Sequence, residues 1–282
     1  MKYVYNNIVI VQLCKKYKVK DYLLLIVLQM KISCITSERH IHSDIAKQLY
    51  KTYKTVPPEK ADVLICLGGD GFMLHTLHNY HHLNKPIYGI NCGTVGFLLN
   101  EYNLQDDLLK LLHEAYQHTV KPLNITVETL DNKKITELAF NEVVVLRDAE
   151  TSAKLELQID GTTTLANLMG DGLLVATPLG STAYNRSCRG PILCLDSKLL
   201  AITPINPFKP LAWQGAIIKE NHHIKINSLF HDRSIKVQFD FQSIKNVKSV
   251  EVKLSSTNHA KLLFNKNDDL EKKIFQTQFI NR

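Results

Sequence analysis

The sequence predicts two domains of different class. The first is an α/β domain on a parallel, Rossmann-like sheet. The second is a mostly antiparallel β domain, and a C-terminal helix follows it. Three observations carry this. Short β-branched apolar runs alternate with amphipathic stretches over residues 31–120, the pattern that βαβ units impose. Near Lys121-Pro122 the pattern changes to short alternating segments divided by turn residues, including Asp131-Asn132 and the hairpin-type pair Asp160-Gly161. Helical spacing comes back over 268–278 with Leu270, Ile274 and Phe275. The α/β domain is therefore assigned to 31–120 and the β domain to 121–257.

Taken in order, residues 31–36 alternate and are β-branched, which predicts a first strand. A helix follows from about Ser43, an N-cap candidate, through Ile45, Leu49 and Tyr53, and Pro57-Pro58 ends it. The run 63–67 is continuously apolar, as a buried parallel strand should be, and Phe72 to Leu77 resume helical spacing. Residues 86–91 predict a third strand and 104–117 a third helix. The β domain is predicted to hold strands at 125–130, 138–146, 155–159, 173–176, 217–218, 224–226, 235–239 and 250–254.

A chain of 282 residues can bury two ordinary cores, and 45% apolar with 22% charged residues describes a globular protein. Of the formal charge of +7, residues 1–29 supply +4 through five lysines against one aspartate, leaving +3 for the rest. This excess is weak evidence for a nucleic-acid partner and suits anionic nucleotides as well, and the lack of an aromatic-basic strand motif argues against a nucleic-acid binder. None of the six cysteines forms a C-x-x-C pair, and several sit in apolar runs, as expected of a reduced cytoplasmic protein. The longest apolar run, 23–28, is too short to span a bilayer, and no small-residue cleavage site follows it. Residues 1–29 are set apart as an appendage, with Met30 as the working start of the fold.

The chemistry is sought first at Gly68-Gly69-Asp70-Gly71, between an apolar strand and a helix. Ligands meet backbone N–H groups and the helix dipole at such junctions. Glycines let a phosphate approach, yet Asp70 would repel it, so the carboxylate must cap its helix, hold Mg²⁺ or accept a proton. Asn141-Glu142 opens a strongly apolar strand, and an amide beside a carboxyl can clamp vicinal hydroxyls, although a solvated strand end reads the same way. Gly170-Asp171-Gly172 leads by a strand into Thr177-Pro178 and the loop Gly180-Ser181-Thr182-Ala183-Tyr184-Asn185-Arg186-Ser187. That loop gathers hydroxyls and N–H groups for a base or phosphate, with Tyr184 for stacking. His75, His78 and His82 fall on one helical face, but nothing is spaced to complete a metal site. Lys209, in a proline-rich crossing, is a weak phosphate candidate.

These elements, in this order, resemble the NAD kinase family: Leu67-Gly68-Gly69-Asp70-Gly71, Gly89-Ile90-Asn91-x-Gly93-x-x-Gly96-Phe97-Leu98, Asn141-Glu142, Asp171-Gly172, Thr177-Pro178-x-Gly180-Ser181-Thr182-Ala183-Tyr184 and Gly190-Pro191-Ile192. The resemblance runs from about Lys31 to the C-terminus, and residues 1–29 carry nothing of it. It implies that the C-terminal helix returns to the first domain, so that 258–282 belongs with 31–120, and that the active site lies between the domains of a homodimer or homotetramer. It also implies transfer of the ATP γ-phosphoryl group to the 2′-hydroxyl of the adenosine ribose of NAD, giving NADP. Mg²⁺ comes with ATP, and some members accept polyphosphate. No membrane or nucleic-acid partner is implied.

By motif match Asp70 would be the general base, with Gly68, Gly69 and Gly71 along the path of the phosphoryl donor. Asn141 and Glu142 would bind NAD hydroxyl and amide groups, and Asp171 would accept from the dinucleotide. Thr182, Ala183, Tyr184, Asn185, Arg186 and Ser187 would line the pocket, with Phe97 as a packing wall. Gln242, in Asp240-Phe241-Gln242, matches a weaker Asp-Gly-Gln element. The chain departs at Met169, where many members have a basic residue, and at Arg189, which stands in a usual Gly-Gly-Pro. A lipid or sugar kinase would keep Asp70 but have no use for Asn141-Glu142 or the loop to Tyr184.

Overall fold

The computed structural model describes residues 30–93, 96–230 and 234–266. The segment 1–29, the helix expected over 268–278, and Thr94-Val95 of the second glycine element lie outside the described residues. The chain divides into two compact units. One takes the chain up to Thr76, Lys85–Gln117 and the stretch that begins at Leu262, and the other takes Leu77–Asn84 and His118–Lys261.

The first unit is built from β1 (Ile32–Thr36), α1 (Asp44–Thr52), β2 (Val63–Gly68), α2 (Asp70–Tyr80), whose last turn belongs to the other unit, β3 (Pro86–Asn91) and α3 (Leu108–Glu114). β1, β2 and β3 run parallel, with Ile32 opposite Val63 and Leu64 opposite Ile87. All of β2 is buried, and for that reason its sequence is continuously apolar instead of alternating. The Ser43 side chain caps α1, accepting from the Ala46 N–H at 3.2 Å, and Ala46 and Leu49 face inward. They meet Ile65, Leu67, Tyr88, Ile90, Leu108 and Leu112 in one apolar core.

The third helix is shorter than the expected 104–117. Asp107 caps it, its carboxylate accepting from Leu109 N at 3.1 Å and Lys110 N at 3.3 Å, while Asp106 closes the turn before by accepting from Asn103 N at 2.8 Å. Two aspartates that satisfy local N–H groups so close together stop the helix from starting earlier. Its expected end is instead the strand β4 (Tyr116–Val120).

The second unit holds β5 (Leu123–Thr129), β6 (Lys134–Ala139), β7 (Glu142–Arg147), β8 (Ala153–Ile159), β9 (Thr162–Gly170), β10 (Gly172–Ala176), β11 (Leu199–Ile205) and β12 (Ala216–Lys219). It continues with β13 (Ile224–Ser228), β14 (Ile235–Phe239), β15 (Gln242–Ile244) and β16 (Val247–Leu254). They form two six-stranded sheets, ordered β12-β11-β10-β7-β14-β15 and β6-β5-β16-β13-β8-β9, with antiparallel pairing. One cluster takes Ile125, Val127 and Val250 from one sheet and Val143, Val145, Leu173 and Val175 from the other, so the two sheets share a core. The β8–β9 hairpin turns on Asp160 (φ 50°) and Gly161 (φ 79°), the left-handed pair that a two-residue turn requires. A last strand, β17 (Ala260–Phe264), stands between β3 and β4 in the first sheet.

The stretch predicted as one strand over 138–146 is two. It breaks at Phe140-Asn141, so that β6 lies in one sheet and β7 in the other. The periodicity also misses β9, which opens with exposed threonines at a sheet edge, and β11, which is buried almost throughout and contains Pro204. Neither offers the alternation by which a half-buried strand is recognised.

Candidate functional site

In the first unit, two glycine-bearing junctions lie side by side at the carboxyl ends of neighbouring strands, with Gly68 of β2 opposite Asn91 of β3. Cys92 N–H donates to Gly68 O at 2.9 Å, and Gly93 N–H donates to the Asn91 side chain at 2.9 Å. Asp70 is the first residue of α2, but its carboxylate does not cap that helix. Its Oδ2 accepts from Phe97 N at 3.0 Å and its Oδ1 from Leu98 N at 2.9 Å. The acid thus ties the second junction to the first and is held at one angle. Each oxygen keeps a further lone pair for another donor. Phe97, half-buried, contributes this N–H as well as its ring. Gly71 is exposed, and a Cβ on Gly69 or Gly71 would meet nothing within 4 Å, so the backbone there is open to a ligand.

In the second unit, the Phe140-Asn141 break is gripped from two sides. Asp240, in the turn between β14 and β15 with φ 47°, accepts from Phe140 N at 2.7 Å and Asn141 N at 2.9 Å. On the carbonyl side, Thr177 Oγ1 donates to Phe140 O at 2.6 Å, and Thr177 N–H to Asn141 O at 3.0 Å. Gly180 lies so close that a Cβ there would run into the Asn141 backbone. All four backbone groups are therefore occupied inside the protein, and the ladder has to break at this point. What the grip presents is a pair of acceptors: Asn141 Oδ1 and Glu142 Oε2 are buried and have no hydrogen-bond partner among the described residues. Burial, and then the charge of Asp240, push the Glu142 carboxyl up to about 8. Near neutrality it is mainly a neutral acid that can donate as well as accept.

The loop after β10 makes a 3-10 turn at Gly180–Thr182 and one short helix, α4 (Tyr184–Ser187). Ser181 Oγ donates to Pro178 O at 2.7 Å and accepts from Leu193 N at 3.0 Å. The motif match puts Asn185 in the pocket lining, but its side chain is buried. It donates to Ser181 O and Pro191 O and accepts from Thr203 Oγ1 at 2.6 Å, which gives it the work of bracing the loop. Thr182 and Ala183 are half-buried, and Tyr184, Arg186 and Ser187 are exposed. Tyr184 and Ser187 line a cavity of about 520 Å³ with Cys188, Arg189, Asn206 and Trp213. Asp171, between β9 and β10, accepts from Arg147 Nε at 2.6 Å and Asn206 Nδ2 at 2.7 Å, and these two partners hold it below the usual carboxylate range.

Gln242 is exposed on β15, and Asp240, two residues earlier, is the acid that reaches the Asn141-Glu142 pair. Asp240, Thr177 and His78 are what sequence reasoning missed as site residues. Two of them stand in recognisable motifs, but their partners are 36 to 162 positions away. His78 Nε2 lies 2.6 Å from Asp240 Oδ2, and its ring stacks edge-on against Phe140 and Phe241. Met169 pairs through its backbone with Lys209, whose carbonyl accepts from Met169 N at 2.8 Å.

Two family models match the chain: the ATP-NAD kinase N-terminal domain over residues 13–118 and the ATP-NAD kinase C-terminal domain over 140–265. The first begins inside the segment that sequence reasoning set apart. A protein from Rickettsia peacockii (strain Rustic) named NAD kinase is 40% identical over 250 residues, covering 88% of this chain and 98% of its own. One from Xylella fastidiosa (strain 9a5c), also named NAD kinase, is 43% identical over 234 residues, covering 83% and 90%. Among solved structures, yeast NADH kinase complexed with NADH superposes with a TM-score of 0.70 at 20% identity, over 89% of this chain and 88% of that one. An NAD kinase from Archaeoglobus fulgidus in complex with ATP gives 0.68 at 23% identity, over 89% and 100%. At those identities the structures speak for the fold.

Proposed function

For this chain, which belongs to the NAD kinase family and phosphorylates NAD to NADP, we propose the following division of work among its residues. Asp70 is the general base. As the γ-phosphoryl group of ATP reaches the 2′-hydroxyl of the adenosine ribose, the new P–O bond forms and the bond to the leaving ADP breaks. The hydroxyl proton passes to a free lone pair of Asp70. The two N–H bonds from Phe97 and Leu98 support this role, because they hold the carboxylate at one angle while leaving that lone pair. ATP enters with Mg²⁺, which offsets the phosphate charge, past Gly68, Gly69 and Gly71.

Dinucleotide recognition belongs to the β domain at 121–257. The observation that carries it is the unpartnered pair Asn141 Oδ1 and Glu142 Oε2. Buried acceptors without partners cost stability, and a hydroxyl- and amide-bearing ligand would satisfy them. A neutral Glu142 also suits an uncharged ribose or carboxamide better than a carboxylate would. Asp171 accepts from the dinucleotide, and Thr182, Ala183, Tyr184, Arg186 and Ser187 line its pocket. The GGDG junction belongs to the α/β domain at 31–120 with 258–282. The working form is a homodimer or homotetramer, supported by the exposed apolar side chains of Phe208 and Leu211. A cytoplasmic location is supported by the five described cysteines, all free thiols.

The test is to incubate the purified chain with NAD, ATP and Mg²⁺ and read NADP with an NADP-specific dehydrogenase. NADP should accumulate in proportion to enzyme, and none should form without a phosphoryl donor. Absence of NADP at any substrate level would sink the reading, and polyphosphate in place of ATP tells the donors apart.

A further inference from the structure

We propose that Asp240, backed by His78, is a positioning residue for NAD recognition: it orients the Asn141-Glu142 pair and keeps its carboxyl in the form that binds the dinucleotide. This rests on the reading that the pair binds NAD. The Asp240 side chain is 1% exposed, and neither oxygen is idle. Oδ1 takes the Asn141 N–H, and Oδ2 takes the Phe140 N–H together with His78 Nε2. A carboxylate that accepts from two successive backbone N–H groups fixes the peptide plane between them, and with it the direction in which the next side chains leave. Those side chains are the two with unpartnered acceptors. His78 is held in turn by Phe140, at 5.2 Å between ring centroids, and by Phe241 at 4.9 Å.

The second effect is electrostatic. The titratable groups that act on Glu142 or feel its charge are Asp240 from the β14–β15 turn and Tyr184 and Cys188 from α4 and the residue after it. Asp240 is the one whose negative charge adds to burial in favouring the neutral Glu142. His78 touches the same carboxylate at Oδ2. Removing the charge of Asp240 should therefore let Glu142 ionise at lower pH. A purely structural aspartate would leave it unmoved.

The experiment is the pH profile of KM for NAD and of kcat in the full chain with saturating MgATP, from about pH 6 to pH 9 around the ordinary histidine and amine range. Wild type should show an inflection in KM near 8, and Glu142→Gln should lose it. Asp240→Asn should raise KM for NAD about tenfold, move the inflection down by about one unit, and change kcat by less than about threefold. An unmoved inflection overturns the proposal, whether KM rises or not. If Asp240→Asn does not fold, Asp240→Glu decides instead, since it keeps the charge but displaces the carboxylate that grips Phe140 and Asn141. KM for NAD should rise about fivefold with the inflection kept near its wild-type position, and an unchanged KM is equally fatal. The carboxyl ¹³C shift of Glu142, followed against pH without ligand, reads the same displacement independently of turnover. Wild-type NADP formation decides the kinase reading, and the variants decide this one.

Discussion

Asp70 and Glu142 are the same chemical group in opposite settings. Asp70 stands at the start of a helix with an N–H donor on each oxygen. Glu142 opens a strand, is 8% exposed, and has an oxygen with no donor among the described residues. The first setting aims a carboxylate in one direction. The second makes ionisation costly and leaves a neutral acid for neutral ligand groups. In the proposed reading the first supplies the proton acceptor and the second the recognition of the sugar.

The sharpest way to break that contrast is at Asp70. Asp70→Asn should reduce turnover by about two to four decades, while NAD binding measured by calorimetry stays within a few-fold of wild type. A variant that turns over normally would take the base away from this residue. At Glu142 the expected effect is on stability and has a definite sign. Its pKa is raised from 4.5 in the unfolded chain to about 8 in the fold, so the folded state binds more protons than the unfolded state between those values. Wild-type stability should fall as pH rises through that window and level off above it. Glu142→Gln does not titrate, so its melting temperature should gain on wild type with rising pH, by the equivalent of a few kcal/mol at about pH 8, at ~1.4 kcal/mol per unit. A gap independent of pH would show that Glu142 is not held neutral. The smallest effect belongs to the scaffold: Ser43→Ala should cost about 1 kcal/mol in chemical denaturation and leave KM for NAD unchanged. A changed KM would mean that α1 reaches the site.

Much of the first unit was legible because its logic is local. A fully buried strand, a glycine turn and a helix follow one another in the chain, and Ser43 caps α1 three residues before its partner. The third helix was misjudged because apolar spacing over 104–117 outweighed Asp106 and Asp107, which act on N–H groups two to three positions away. In the second unit, turn residues such as Asp160-Gly161 marked the hairpins, but strands without alternation went unseen. The Asn141-Glu142 pair was recognisable as a pair, and the break before it was not, since it depends on Asp240 and Thr177.

By itself the sequence determined the family, the alternation of classes along the chain and the identity of the two carboxyl groups, because these are written in short motifs and in local periodicity. Only the tertiary structure decided what each carboxyl group is. Asp70 owes its aim to N–H groups 27 and 28 positions on, and Glu142 owes its neutrality to burial and to an acid that grips the residue before it from 99 positions away. The physical reason is that protonation and direction follow from desolvation and from the nearest donors and charges. Those neighbours are brought close by folding and not by chain order.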